Sequence, residues 1–340
     1  SVRVLVSGYY GFGNLGDEAL LAGLLRGLKG MGHTPVVLSG DPKATTQQHG
    51  VEAVHRLRGF VPALARADAL VSGGGGLLQD TTSRRSLDYY LNVVRLARRA
   101  GKRVVVYGQS LGPLSDAGRA AVARTLKGLP VAVRDDQSLR LAADMGLAAT
   151  LVADPALLLA ETGAEPLPEP EQAPVVLVPR GGQPQLNEAL EELALELADA
   201  SVPLAGMAFH PREDEGPLLR IKRMVPELEL WEESDPVATV RRLERARYVV
   251  SIRLHGCILA AAAGVGFAGI SYDPKVKGFL TQAFAPSFER PVDKRALLWL
   301  ALASPQAEEH AVAHLLRLSQ EGMEWLAEAL GKPRSRGGGG

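Results

Sequence analysis

Residues 2–18 read VRVLVSGYYGFGNLGDE: an apolar, β-branched run, a glycine-rich turn and the first residues of a predicted helix. A strand that passes through glycines into a helix is typical of the first unit of a parallel α/β sheet. In the turn, Gly11, Gly13 and Gly16 have the G-x-G-x-x-G spacing with which many such proteins bind a dinucleotide pyrophosphate at a helix N-terminus.

Two acidic residues argue against a dinucleotide at this turn. Asp17 and Glu18 fall in the first helical turn, where each carboxylate stabilises the helix dipole by about 0.3–1 kcal/mol and would repel a pyrophosphate. We therefore expect a different substrate there, bound by Gly13, Asn14 and Asp17. The alternative is a purely structural strand-to-helix turn with an acidic N-cap.

Composition excludes several classes of protein. The 340 residues contain 38 Lys plus Arg and 38 Asp plus Glu, so no global charge attracts nucleic acid or an anionic membrane. The sequence has no run of roughly 18 apolar residues and no signal-like N-terminus, which predicts a cytoplasmic protein. Cys257 is the only cysteine, and no Cys/His spacing indicates a metal site.

Alternating apolar and helical segments predict an α/β fold of two doubly wound, Rossmann-like domains facing a cleft. Residues 1–160 form the predicted N-terminal domain, the proline-rich stretch 161–174 a linker, and 175–305 the C-terminal domain. A terminal helix is expected at 306–330, packed near the domain boundary, and a disordered tail at 331–340. Strands are predicted at 2–6, 35–38, 69–71, 103–107, 131–133, 150–152, 175–178, 202–209, 248–250 and 267–270.

Two loops of the first domain follow strands and are expected at the ligand-binding edge of the sheet. The first, SGGGGLLQD (72–80), contains Gly74 and Gly75, whose conformational freedom suits close approach of a ligand or a facing loop. A flexible turn is the alternative. The second, YGQSLGP (107–113), offers Gln109 and Ser110 as hydrogen-bonding groups for a sugar or phosphate oxygen.

Basic residues at strand ends are the predicted anion-binding groups. Arg134, in VAVRDDQS (131–138), can clamp a carboxylate or phosphate, or instead pair with one of the two aspartates that follow it. In SIRLHGCILAAAAG (251–264), Arg253 and His255 point the same way if the chain is extended, forming an anion clamp with a proton donor. A core histidine beside an unrelated surface arginine is the alternative.

Two further segments contribute candidates. SYDPKVKGF (271–279) offers Lys275 or Lys277 as an ammonium at the same edge of the second domain. His210, in FHPRED (209–214), is expected to be an exposed loop histidine.

Together these motifs resemble the polysaccharide pyruvyl transferase family, of the type that pyruvylates cell-wall polymers. The resemblance is carried by GYYGFGNLGDEAL (8–20), SGGGGLLQD, QSLGP, VAVRD and SIRLHG followed by Lys275, in this order. It implies a fold resembling glycosyltransferase-B and transfer of a pyruvyl group from phosphoenolpyruvate to a sugar diol as a cyclic ketal, with release of phosphate and without another cofactor.

The resemblance also implies residue roles. Arg134, His255 and Lys275 match the essential cationic and acid–base positions, and Arg253 matches the arginine beside the histidine. A donor with both a carboxylate and a phosphate is expected to need several cations and no competing carboxylates. The glycine loops of the first domain would line the acceptor side.

The implied partners are phosphoenolpyruvate and a glycan or lipid-linked acceptor, such as an N-acetylhexosamine (N-acetylmannosamine, for example), in a cell-wall polymer or exopolysaccharide. Transient contact with the inner membrane face would follow from a lipid carrier. Three alternatives remain open: a nucleotide-sugar glycosyltransferase of the same architecture, a non-catalytic carbohydrate-binding module, and a dehydrogenase with Asp41 as its ribose-binding acid.

Overall fold

The computed structural model describes residues 2–161 and 165–331. The chain divides into two compact units. Of the described residues, unit 1 contains 2–12, 20–155 and 318–331, and unit 2 contains 13–19, 156–161 and 165–317. The glycine-rich turn therefore belongs to unit 2 from Gly13 onward. The predicted tail lies outside the described residues, apart from Gly331.

Unit 1 is built on a parallel sheet that is covered by helices. Its strands are β1 (Arg3–Ser7), β2 (Thr34–Ser39), β3 (Glu52–His55), β4 (Ala69–Ser72), β5 (Gly75–Leu78), β6 (Arg103–Leu111), β7 (Val131–Val133) and β8 (Ala149–Leu151). The order is β3-β2-β1-β4-β6-β7-β8, and β5 pairs with β6. The helices are α1 (Leu15–Gly30), α2 (Pro42–His49), α3 (Phe60–Arg66), α4 (Arg84–Arg99), α5 (Asp116–Leu126) and α6 (Asp136–Asp144).

Unit 2 repeats this architecture with a six-stranded parallel sheet. Its strands are β9 (Val175–Val178), β10 (Leu204–Gly206), β11 (Glu229–Leu230), β12 (Tyr248–Ser251), β13 (Phe267–Ile270) and β14 (Ser287–Phe288), in the order β11-β10-β9-β12-β13-β14. The helices are α7 (Pro184–Asp199), α8 (Pro211–Met224), α9 (Pro236–Leu243), α10 (Leu254–Ala262), α11 (Pro274–Gln282) and α12 (Lys294–Ala303). The last helix, α13 (Glu309–Leu330), begins in unit 2 and belongs to unit 1 from Leu318 onward. Two short 3-10 helices cover Pro155–Leu159 and Pro170–Gln172.

Burial of the strands on both faces explains their apolar sequences. In β1, Val4 and Val6 pack in one cluster and Leu5 in another, because successive side chains point to opposite faces of the sheet. Leu326 and Leu330 of α13 join the cluster of Val4 and Val6. The C-terminal part of α13 thus completes the core of unit 1.

The predicted fold class is confirmed, and the missed elements have local causes. Periodicity alone does not find β11 and β14, which have only two residues each. β5 begins at Gly75, and glycine disfavours strand prediction. The strand predicted at 202–209 is shorter, with only Leu204–Gly206 in β10. The terminal helix begins at Glu309 rather than at 306.

The alanine-rich helix α10 buries the only cysteine completely. Cys257 is inaccessible to solvent, and a Cβ placed on Gly269 would lie 3.2 Å from its sulfur atom. Burial raises the pKa of the Cys257 thiol to about 12. Since the thiolate is the reactive form, the folded protein holds this cysteine inert.

We therefore expect iodoacetamide at pH 8 to leave Cys257 unmodified in the folded protein and to alkylate it fully in guanidinium chloride. Intact-mass spectrometry measures both states, and the single cysteine makes the assignment unambiguous. Alkylation of the native protein at the rate of a free thiol would contradict this account of α10.

Candidate functional site

Three adjacent strands of unit 2 end in polar or cationic residues. β9 leads to Arg180, β12 to Arg253 and His255, and β13 to Tyr272. These strands are parallel neighbours in the order β9-β12-β13. Their carboxyl ends therefore share one edge of the sheet, which is where ligands bind in doubly wound folds.

The carboxylate of Asp214 joins three of the loops at this edge. It is fully buried in α8 and accepts hydrogen bonds from the backbone N–H groups of Gly181 (2.9 Å) and His210 (3.0 Å). It also accepts two from Arg253, from Nε at 2.9 Å and from a terminal guanidinium nitrogen at 2.7 Å. Each carboxylate oxygen thus takes two hydrogen bonds, and the loops after β9, β10 and β12 are tied to one residue.

Arg253 is committed to carboxylates rather than left open for a ligand. Beside the bidentate pair with Asp214, it forms a 3.0 Å ion pair with Glu213. Burial lowers the pKa of Arg253, but hydrogen bonds and charges from Asp214 and Glu213 outweigh it and leave the pKa raised. This corrects the expected clamp: Arg253 is the N-cap residue of α10, so the alternation of an extended chain does not extend to His255.

His255 lies in the first turn of α10, partly buried against the glycine-rich turn. A Cβ on Gly16 would lie 2.8 Å from His255 Nδ1, so only glycine fits there without displacing the imidazole ring. The backbone N–H of Leu15 donates to the Phe209 carbonyl at 2.8 Å, which holds the start of α1 against the β10–α8 loop. Gly16 and His255 are therefore parts of the same unit.

Arg180 is a cation at this edge that the sequence analysis missed. Its guanidinium lies 4.5 Å from the centre of the Tyr272 ring. Burial lowers the pKa of Arg180, and the charge of Arg253 lowers it further. Among the residues that the structure describes, no carboxylate forms an ion pair with it. The available signal was an arginine just past the end of an apolar strand, two residues after Val178, similar to the one that drew attention to Arg134.

The structure separates the two candidate lysines. Lys277 is exposed and pairs with Glu289 at 2.8 Å. Lys275 is partly buried in the first turn of α11, and its backbone N–H donates to Asp273 Oδ1 at 2.8 Å. The expectation for His210 was wrong, because His210 is only 6% exposed and its Nδ1 has no hydrogen-bond partner in the described part of the chain.

Arg134 lies in a buried polar network of unit 1. Its Nε donates to Ser110 Oγ at 2.7 Å, and it pairs with Asp154 at 2.7 Å. Ser110 Oγ in turn donates to Asp135 Oδ2 at 2.7 Å. The alternative to an anion clamp was pairing with Asp135 or Asp136, but the ion pair is formed with Asp154, 20 residues further along the chain. Arg134 and Arg253 thus both face carboxylates that a donor would have to compete with.

The remaining predicted binding residues of unit 1 pack against the chain itself. Gln109 is fully buried, and its amide nitrogen donates to Ser72 Oγ at 3.1 Å. Gly74 has a φ of +89°, and a Cβ there would lie 2.7 Å from Leu20 Cδ2. Gly75 opens β5. The close approach that explains Gly74 is therefore made by the protein's own Leu20 side chain.

The predicted residues of the turn cap α1. Asn14 Oδ1 accepts from the backbone N–H groups of Gly16 (3.0 Å) and Asp17 (3.4 Å), which is the usual role of an N-cap asparagine. Gly13 is exposed with a φ of +74°, a conformation that disfavours other residues.

In residues 2–161 and 165–331, no three His, Cys, Asp or Glu side chains are grouped so that they could hold a metal ion. No helix in this part of the chain is long and apolar enough to cross a membrane.

Comparison with known proteins identifies a family. The family model described as polysaccharide pyruvyl transferase matches residues 14–274, which include the end of the glycine-rich turn from Asn14, Arg134, His255 and the first residue of α11. None of the curated proteins compared with the chain gives a significant match.

Solved structures share the fold. A glycosyltransferase from Rickettsia africae aligns with a TM-score of 0.58 at 12% identity, covering 97% of this chain and 99% of that one. A putative UDP-N-acetylglucosamine 2-epimerase from Listeria monocytogenes gives 0.60 at 12% identity, with 96% and 95% covered. Anabaena HepE, solved with UDP and glucose, gives 0.54 at 12% identity, again with 96% and 95% covered. At this identity the likeness establishes the fold, which resembles glycosyltransferase-B, and nothing about substrates.

Because Asp214 is buried and Glu213 is exposed, we expect their substitution to lower the free energy of unfolding by very different amounts. Asp214→Asn removes the charge that compensates Arg253, and we expect it to lower the free energy of unfolding by about 3–5 kcal/mol. Glu213→Gln is the matched control, since the Glu213 side chain is 55% exposed and such pairs contribute about 0–1 kcal/mol. Urea unfolding followed by circular dichroism measures both. Equal effects would show that Asp214 does not organise this edge.

Proposed function

Because the chain belongs to the polysaccharide pyruvyl transferase family and is therefore a transferase, we propose that it transfers the pyruvyl group of phosphoenolpyruvate to two hydroxyls of a sugar. The product is a cyclic ketal, and phosphate is released. The observation that carries the proposal is the grouping of Arg180, His255 and Lys275 after adjacent strands of unit 2. Asp214 and Arg253 hold the segments that carry Arg180 and His255 in place.

The positively charged side chains at this edge favour binding of an anionic donor. Phosphoenolpyruvate carries a carboxylate and a phosphate on a three-carbon frame, so it needs a local concentration of cations in a protein whose net charge is zero. Arg180, stacked on Tyr272 and without a carboxylate partner among the described residues, presents its planar donors for bidentate binding. Lys275 supplies a second, point-like charge.

His255 is the acid–base group of the proposed reaction. In the proposed step, His255 gives a proton to the methylene carbon of the donor, which leaves an oxocarbenium-like centre at the neighbouring carbon. One sugar hydroxyl attacks that carbon and returns its proton to His255. The second hydroxyl then displaces the phosphate, which leaves with the remaining proton. Cations beside the phosphate stabilise the charge of the leaving group.

Arg253 and Arg134 have supporting roles in this proposal. Arg253 fixes the turn that carries His255, through its pair with Asp214. Arg134 holds Ser110 in the buried network of unit 1 and so shapes a loop that we assign to the acceptor side. Gly13, Asn14, Asp17, Gly74, Gly75 and Gln109 belong to the same assignment, most of them as structural supports.

The proposed acceptor is an N-acetylhexosamine, such as N-acetylmannosamine, in a cell-wall polymer or exopolysaccharide, free or lipid-linked. The word polysaccharide in the family description supports a glycan. We place the reaction in the cytoplasm, with transient contact with the inner membrane face for a lipid-linked acceptor. No cofactor or metal is proposed besides phosphoenolpyruvate, since proton transfer and cationic binding suffice for the chemistry.

Single substitutions test the assignment of His255 and Lys275. We expect His255→Ala and Lys275→Ala each to lower acceptor-dependent phosphate release from phosphoenolpyruvate about 100-fold or more. His255→Ala removes general acid–base catalysis, which contributes about 10²–10⁴-fold, and Lys275→Ala removes a charge that stabilises the leaving phosphate, an effect of about 10²–10³-fold. Lys277→Ala is the matched control and keeps the wild-type rate, since Lys277 pairs with Glu289 at the surface. Wild-type turnover in His255→Ala would remove the histidine from the mechanism.

Ligand stabilisation tests the donor directly. A ligand at 100 times its Kd stabilises the folded state by about 2.7 kcal/mol, so phosphoenolpyruvate is expected to raise the Tm, and Arg180→Gln to reduce this rise. Differential scanning fluorimetry measures the shifts. Stabilisation by uridine diphosphate but not by phosphoenolpyruvate would favour a nucleotide-sugar glycosyltransferase instead.

A further inference from the structure

Arg56 is a basic residue at the carboxyl edge of the unit 1 sheet that has no role in the proposed function. Arg56 directly follows β3, and its backbone N–H donates to the Ser39 carbonyl at the end of β2. Phe12 comes from the loop after β1, and Tyr89 lies in the second turn of α4. The position corresponds to the ligand-binding edge of a doubly wound sheet.

The guanidinium of Arg56 lies over two aromatic rings. Its guanidinium carbon lies 4.3 Å from the centre of the Tyr89 ring and 5.5 Å from that of Phe12. The phenol of Tyr89 donates to the Arg56 carbonyl at 3.1 Å, and Tyr9 stacks on Phe12 at 4.3 Å with an interplanar angle of 12°. Because two rings hold the planar group, little rotamer entropy remains to be lost when it binds a ligand.

The N–H groups of this arginine are not used within the described part of the chain. Residues 2–161 and 165–331 provide no carboxylate in an ion pair with Arg56 and no acceptor for its side-chain donors. Stacking occupies the faces of a guanidinium and leaves the in-plane N–H groups to bind an oxyanion. Arg134 and Arg253, by contrast, both donate to buried carboxylates.

The residues near Arg56 include one further positive charge and two groups that are engaged with the backbone. Arg58, two residues further on, is exposed and adds positive charge. His55 Nδ1 accepts from the backbone N–H groups of Leu57 (3.2 Å) and Arg58 (3.3 Å). The nearby acid Asp41 is engaged as the N-cap of α2, where it accepts from the Ala44 N–H at 3.1 Å.

We propose that Arg56, which lies over the rings of Phe12 and Tyr89, is an oxyanion site for the phosphate group of a phosphorylated sugar acceptor. A guanidinium fork matches two phosphate oxygens in bidentate geometry. That the ligand is an acceptor rests on the proposed function, whereas the phosphate chemistry rests on the stack alone. The transferase would thereby prefer acceptors that carry a phosphate on the sugar.

The test is a calorimetric titration of the intact protein with N-acetylglucosamine 1-phosphate, N-acetylglucosamine, inorganic phosphate and phosphoenolpyruvate. The variants are Arg56→Gln and Phe12→Leu, with Arg58→Gln as the matched control that removes one nearby charge but no stacked group. Tm values show whether each variant is folded.

We expect the sugar phosphate to bind the wild type at least 10-fold more tightly than the free sugar. Arg56→Gln should lose at least 10-fold in that affinity, Phe12→Leu a smaller part, and Arg58→Gln less than twofold. Inorganic phosphate distinguishes the two sources of the anion, since binding as tight as that of the sugar phosphate would identify a free-phosphate site and overturn the acceptor assignment.

Phosphoenolpyruvate separates this proposal from the preceding one. Phosphoenolpyruvate should bind Arg56→Gln as tightly as it binds the wild type. If the wild type binds the sugar phosphate but not phosphoenolpyruvate, the donor assignment is contradicted and the Arg56 site is not. Undiminished sugar-phosphate binding by Arg56→Gln, or equal losses in Arg56→Gln and Arg58→Gln, would overturn the Arg56 site. If Phe12→Leu and Arg56→Gln both lower the Tm and both lose affinity for the sugar phosphate and for phosphoenolpyruvate, the stack is purely structural. That result would also overturn the Arg56 site.

Discussion

The buried carboxylate of Asp214 is the constraint on which the candidate site depends. It accepts four hydrogen bonds, two from backbone N–H groups after β9 and β10 and two from the guanidinium of Arg253 after β12. Two buried charges are stable only with good geometry and full hydrogen bonding, and this pair has both. A network satisfied to this degree makes the loops rigid. It holds the turn at which α10 begins, and with it His255.

Because Arg253 pairs with Asp214, the cations at this edge have different roles. Arg253 has a structural task, which leaves Arg180 and Lys275 as the donor-binding groups in the proposal. Arg180 lies on Tyr272, where burial and the charge of Arg253 lower its pKa. A bound anion would offset that repulsion, so the site has an electrostatic reason to bind a negatively charged donor. The glycine-rich turn contributes through Gly16, whose missing side chain makes room for the imidazole.

Periodicity and strand-end chemistry predicted the fold class and several of the residues at the edge of unit 2. They did not predict partners that are distant in sequence. Asp214 lies 39 positions from Arg253, and nothing in FHPRED marks the second of its two acids as buried. The expected alternation of Arg253 and His255 failed because the helix starts at Leu254, a boundary that the apolar pattern does not determine. The contact of Gly16 with His255 joins residues 239 apart, which only the folded chain brings together.

The most direct test of the account is a crystal structure with phosphoenolpyruvate bound. The account predicts the phosphate and carboxylate of the donor at the carboxyl edge of the unit 2 sheet, in contact with Arg180 and Lys275, with its methylene carbon near His255 and the Arg253–Asp214 pair unbroken. A donor bound without contact to any of these three residues, or one that displaces Asp214 from Arg253, would contradict it.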